Sequence, residues 1–234
     1  MTDKERTDWA KKYHTINVKF GKQFYPKVKK QLDEVVSSLI GTIRRKGARQ
    51  TLVDLRTQLW SDNLAEPITE LYKKVGVYHA NETYKQIRRE LAQKSAERND
   101  NWAKMIQDEL QKTLVQFALV RTSETLRNHL ILILQSSIAK GLTTDEIVNV
   151  FVKMGFTAMQ AQRIVRTEVG RAANTGVKAA AQGFNYEMVK EWIAFRDSRT
   201  RGFKPNQPKD HYDMDGQVVD FFDKFTDPRS GERS

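Results

Sequence analysis

At 234 residues the chain is long enough to form one or two domains around a buried core. With 39% hydrophobic and 29% charged residues it has the profile of a polar, helix-rich globular protein, not of a disordered tail. Lys and Arg (40) outnumber Asp and Glu (29), a net charge of +11 that calls for an acidic partner, and the absence of cysteine excludes disulfides, thiolate zinc sites and cysteine nucleophiles.

The positive charge is concentrated early. Residues 1–100 hold 21 basic and 13 acidic side chains, whereas 101–234 hold 19 and 16. Between Lys11 and Gln50 there are 11 basic residues against Asp33 and Glu34 alone, a density that attracts phosphate with salt-sensitive affinity. Within it Val28, Leu32, Val35, Val36, Leu39, Ile40 and Ile43 recur at three- and four-residue steps, which predicts an amphipathic helix ending near Gly47. Lys27, Lys29 and Lys30 flank that stripe on one side and Arg44, Arg45, Lys46 and Arg49 on the other, forming a candidate surface for phosphates or a protein partner.

The same period in Leu52, Leu55 and Leu59, in Ile68, Leu71, Tyr72 and Val75, and in Tyr84, Ile87 and Leu91 predicts two or three further helices over 48–94. A polar break at 93–101 precedes another stripe, Trp102, Met105, Ile106, Leu110, Leu114 and Phe117. Gly141 is a terminator, and Thr143-Thr144-Asp145-Glu146 is a capping box before Ile147, Val148, Phe151 and Met154. Thr157-Ala158-Met159-Gln160 reads as a second box opening a longer helix to about Gln182. Beyond Gly183 the period shortens to two. Residues 187–195 read as a strand, and the Asp215-Gly216 turn leads into Gln217-Val218-Val219 as its partner. The expected fold is mainly α: a multi-helix N-terminal body over 1–141 and a small α+β module over 142–234, with a long helix and short antiparallel strands.

The helix pair within 145–182 has the outline of a helix-turn-helix, with Gln160, Gln162, Arg163 and Arg166 near the start of its second helix. Arg166, Thr167, Glu168, Arg171 and Asn174 follow along that helix, as a buried polar cluster or as surface pairs. Of the four histidines none sits in an HExxH or a Cys-His spacing, so zinc hydrolysis and triad chemistry lack their parts. His211 with Asp197 or Asp215 is the one arrangement from which a metal-dependent nuclease or hydrolase could be built.

Taken in order, the C-terminal pieces form a set: Arg166-Thr167-Glu168 and Asn174 on a helix, Lys190-Glu191-Trp192-Ile193-Ala194, Asp197-Ser198-Arg199-Thr200, His211, and Met214-Asp215-Gly216-Gln217-Val218-Val219. This order resembles the phage Mu F-like family of minor head, or head morphogenesis, proteins over about residues 160–225. The chain departs from the family pattern after that, where many relatives run on to a Pro-rich stretch and a closing Cys-Arg-Cys. The resemblance implies a non-enzymatic virion protein without cofactor or metal, present in several copies at the portal vertex or in the capsid interior after assembly in the host cytoplasm. It would act in head morphogenesis and in DNA packaging or delivery. Implied partners are the portal protein, the major capsid protein or scaffold, and double-stranded DNA bound without sequence preference, with no membrane involved. The matched residues Arg166, Thr167, Glu168, Asn174, Trp192, Asp197, Arg199, Thr200, His211, Asp215 and Gly216 take structural roles on this reading. Trp192 anchors a small core, the charged residues tie helix, strand and loop together, and Gly216 permits the turn.

Overall fold

A computed structural model describes residues 3–57, 61–90, 115–153, 155–184, 187–194, 211–228 and 231. Among them are six helices, α1 (Asp3–Lys46), α2 (Ala48–Thr57), α3 (Ser61–Glu90), α4 (Val115–Ala139), α5 (Thr144–Lys153) and α6 (Phe156–Gln182), and two strands, β1 (Val189–Glu191) and β2 (Val218–Asp220). The fold is mainly α with a small antiparallel pair near the C-terminus. Of the predicted helical stripe over 102–117, residues 102–114 lie outside the described residues, and Phe117 falls in the first turn of α4.

The chain divides into two compact units, one of residues 17–183 and the other of 1–16 with 184–234. This division differs from the expected boundary at 141/142. The long helix α6 belongs with the helical body because it packs along α3, while α1 contributes residues to both units.

In the larger unit the core is drawn from every helix. It contains Phe24, Val28, Leu32, Leu39 and Ile43 of α1, Leu55 of α2, Ile68, Leu71, Tyr72 and Val75 of α3, Leu126, Leu130 and Leu134 of α4, Phe151 of α5, and Ile164, Val165, Val169, Ala172 and Ala173 of α6. Each such large apolar side chain removed from water stabilises the fold by about 1.5–3 kcal/mol. The predicted stripe of α1 is thus its buried face, and the helix stops where Gly47 takes φ +80°. Both α1 and α3 continue through a proline, Pro26 and Pro67, each of which withholds one N–H from the helical ladder.

Helices α3 and α6 meet at two glycines. A Cβ placed on Gly176 would lie 2.1 Å from the carbonyl oxygen of Gly76, so backbone touches backbone and no side chain fits between. The small residues Ala172, Ala173, Gly176 and Ala180 that follow one another along α6 are all buried, as this close approach requires.

The first capping box forms as expected: the Thr143 N–H donates to Glu146 Oε2 at 2.8 Å, and the Glu146 N–H to Thr143 Oγ1 at 3.4 Å. Those bonds, first from the Thr143 backbone and then from its hydroxyl, hold the Glu146 carboxyl below its ordinary range. The second box does not form. Gly155, at φ +55°, caps α6 without any side-chain bond, and the helix begins at Phe156. The physical reason is the burial of Phe156 edge-on against Phe151, ring centroids 6.3 Å apart, which starts the helix ahead of Thr157 and draws Gln160 inward.

Candidate functional site

Successive residues of Arg166-Thr167-Glu168 point differently, because neighbours on a helix stand about 100° apart. Arg166 and Thr167 are exposed on α6, while Glu168 is 1% exposed. A carboxylate so deep must be matched by donors. Three supply them: the Tyr72 hydroxyl from α3 donates to Oε2 at 2.7 Å, Arg171 one turn on donates to Oε1 at 2.6 Å, and the Thr122 hydroxyl from α4 approaches Oε1 at 3.4 Å. Burial and the adjacent negative charge push the Tyr72 phenol far above its ordinary pKa, so it serves only as a proton donor to that bond. The ties of Glu168 therefore run among α3, α4 and α6. Asn174 is exposed further along α6.

The smaller unit gathers the remaining described motif residues. β1 and β2 pair antiparallel with Val189 opposite Asp220, Lys190 opposite Val219 and Glu191 opposite Val218. Past β1 the ladder continues through Trp192, whose N–H donates to Gln217 O and whose carbonyl accepts from the Gly216 N–H, both at 2.9 Å. Gly216 holds φ +85°, a conformation that a side chain would strain. The regular strand is three residues, shorter than the expected 187–195. The Trp192 ring meets the edges of His211 and Phe225, each with centroids 5.2 Å away. It is half-buried.

Asp215 has a 6% exposed side chain and accepts from the Ala194 N–H at 2.8 Å and from Arg6 at 3.2 Å. The same guanidinium reaches Glu191 Oε1 at 3.0 Å. Gln217 adds a two-way clasp on Thr226: its Nε2 donates to the carbonyl at 3.1 Å, and its Oε1 accepts from the N–H at 2.9 Å. Sequence reasoning missed Arg6, and it placed Gln217 beside the second strand without its clasp on Thr226. Arg6 stands 209 residues from Asp215 and carries no local pattern that points there.

Asp197, Arg199 and Thr200 lie outside the described residues. Asp215 is committed to Arg6 and backbone, and His211 packs on Trp192. Among the described residues no group of three metal-ligating side chains gathers. The helix-turn-helix reading loses Gln160, which is withdrawn from the surface, while Gln162, Arg163 and Arg166 remain exposed.

Of the predicted basic surface, Lys27 pairs with Glu70, Lys29 with Asp33 at 2.6 Å and Lys46 with Asp54 at 2.9 Å, while the Arg45 Nε donates to Gly41 O at 3.3 Å. Hydrogen bonds from Lys27 and Lys74 hold the Glu70 carboxyl below its ordinary range, and Lys46 and Gln50 do the same to Asp54. Lys30, Arg44 and Arg49 are exposed and form no ion pair among the described residues. No helix among the described residues is long and apolar enough to cross a membrane. Comparison of the chain with protein families, with curated proteins and with solved structures returns no match.

Proposed function

We propose that this chain is a structural minor head protein of a tailed phage, one that docks at the portal vertex and contacts the packaged genome non-specifically. The observation that carries the reading is the ordered series from Arg166-Thr167-Glu168 through Trp192 to His211 and Met214-Asp215-Gly216. What supports a structural use of that series is the way its described members are engaged. Glu168 is bonded to neighbouring helices and Asp215 to Arg6 and to backbone, while His211 packs against the Trp192 ring and Gly216 holds a left-handed turn. Groups so committed brace a fold, whereas a catalytic acid or base must be within reach of a substrate proton. The exposed Lys30, Arg44 and Arg49 offer charge to phosphate without any means of reading sequence.

Co-expression with the portal protein of the same phage tests the reading. A complex of defined stoichiometry by size-exclusion chromatography with light scattering is the expected result. Failure to associate with portal rings, or with procapsids assembled in its presence, overturns it.

A further inference from the structure

A recess between α4 and α6 belongs neither to the Trp192 unit nor to the basic stretch of α1. Its volume is about 110 Å³, well above the ~10–15 Å³ that one water needs. Arg121 from α4 and Arg163 and Arg171 from α6 converge on it, with Thr167 at its lip and Glu168 and Gln160 in its wall. Glu168 is matched to Arg171 at 2.6 Å, which leaves Arg121 and Arg163 as charge without a countercharge among the described residues. Gln160 is the second, independent sign of a ligand. Its residue is 7% exposed and it lines the recess, yet its amide makes no hydrogen bond among the described residues. The amide atoms themselves open to the recess and are not sealed in the core, which leaves their donors available to a ligand.

From this convergence we infer that the recess is a binding site for a terminal phosphate group. Two guanidinium forks, an amide and a hydroxyl present donors from several directions, which suits the three strong acceptor oxygens of a phosphomonoester better than the two of a carboxylate. Two unmatched positive charges complement its dianion, whereas a bridging phosphodiester carries a single charge. The recess is small, so the group that enters is an end and not the middle of a chain. The inference does not depend on the head-protein reading, because it rests on residues outside the portal and genome contacts proposed above.

Calorimetric titration of the full chain with inorganic phosphate at fixed ionic strength tests it. Arg121→Gln combined with Arg163→Gln alters exposed positions and leaves the core intact. Gln160→Leu removes the amide at similar volume, and Lys140→Gln combined with Lys153→Gln, two exposed cations outside the recess and outside the basic stretch of α1, is the surface control. Saturable one-to-one binding is expected, weakened about tenfold or more by the recess pair, severalfold by Gln160→Leu, and by less than about twofold in the control. A 5′-phosphorylated oligonucleotide that competes where its dephosphorylated twin does not identifies the source as a nucleic-acid end. Competition by neither, with phosphate still bound, identifies a small molecule; both outcomes support the site. Unsaturable or absent binding, or equal weakening in both double variants, overturns it.

Discussion

Glu168 and His79 show how single buried polar groups set the behaviour of the larger unit. Glu168→Ala leaves the Tyr72 hydroxyl buried without its acceptor and Arg171 without its countercharge, and opens a small void. A loss of about 1–3 kcal/mol is expected from leaving the buried Tyr72 hydroxyl unpaired, since Arg171, with its side chain 38% exposed, can turn to water, and it is read as a lowered urea midpoint. Glu168→Gln keeps an acceptor for Tyr72 and should lose less. His79 is 4% exposed on α3 and its Nε2 lies 2.9 Å from Asn17 Oδ1, an arrangement in which a neutral ring donates. Burial lowers its pKa from 6.5 to about 4, against a smaller opposing pull from Glu82. Between pH 6.5 and 4 the unfolded chain therefore binds a proton that the folded chain refuses, so stability falls as the pH drops through that window. The full effect is about 3 kcal/mol at ~1.36 kcal/mol per unit. His79→Gln should flatten this part of the stability profile in denaturation curves at about pH 4–7. An unchanged slope counts against the assignment.

At the scale of the elements, the two interior glycines of α6 behave oppositely. At Gly170 an added Cβ meets nothing within 4 Å, so Gly170→Ala should stabilise by about 0.5–1 kcal/mol through the entropy of the unfolded chain. At Gly176 the added methyl falls on the Gly76 carbonyl, and the helices must part. Gly176→Ala should cost about 1–3 kcal/mol despite the same propensity gain. Paired urea denaturation of the two variants checks the contrast. The sequence carries half of this contact: the run of small residues on α6 is readable, but nothing local says that Gly76 is what they meet. Similarly, the period of 3.6 exposes the buried face of α1, and the Thr143–Glu146 box is complete in four residues. The start of α6 is misread because the burial of Phe156 outweighs the capping preference of Thr157. The strand is over-extended because alternation in sequence does not mark where the ladder ends: past Trp192 the bond of the Ala194 N–H goes to the Asp215 side chain.

For the whole molecule, the net charge of +11 and the exposed Lys30, Arg44 and Arg49 bear on binding, not on folding. Binding to duplex DNA should weaken steeply with salt, with equal affinity for unrelated sequences. Replacing Lys30, Arg44 and Arg49 with Gln should flatten the salt slope by up to about 0.9 for each phosphate that is no longer neutralised. Filter binding across a salt series measures this, and affinity indifferent to ionic strength rules out the DNA reading. The basic surface is legible from composition, but the ion pairs of Lys27, Lys29 and Lys46 that reduce it are not, since two of the three partners lie eight or more residues away.

The smaller unit also imposes an order of events. Its residues 1–16 and 184–234 are separated by the whole helical body, and Arg6 finds Asp215 and Glu191 only across that span. On a ribosome, the leading segment must wait unpaired until residues past 216 have emerged, while the bundle is free to assemble first. Closure over so long a loop is slow and comes late. A chain truncated at residue 190 should hold a protease-resistant bundle with residues 1–16 still open to cleavage, and the clasp of Arg6 on Asp215 marks a chain that extends past residue 215.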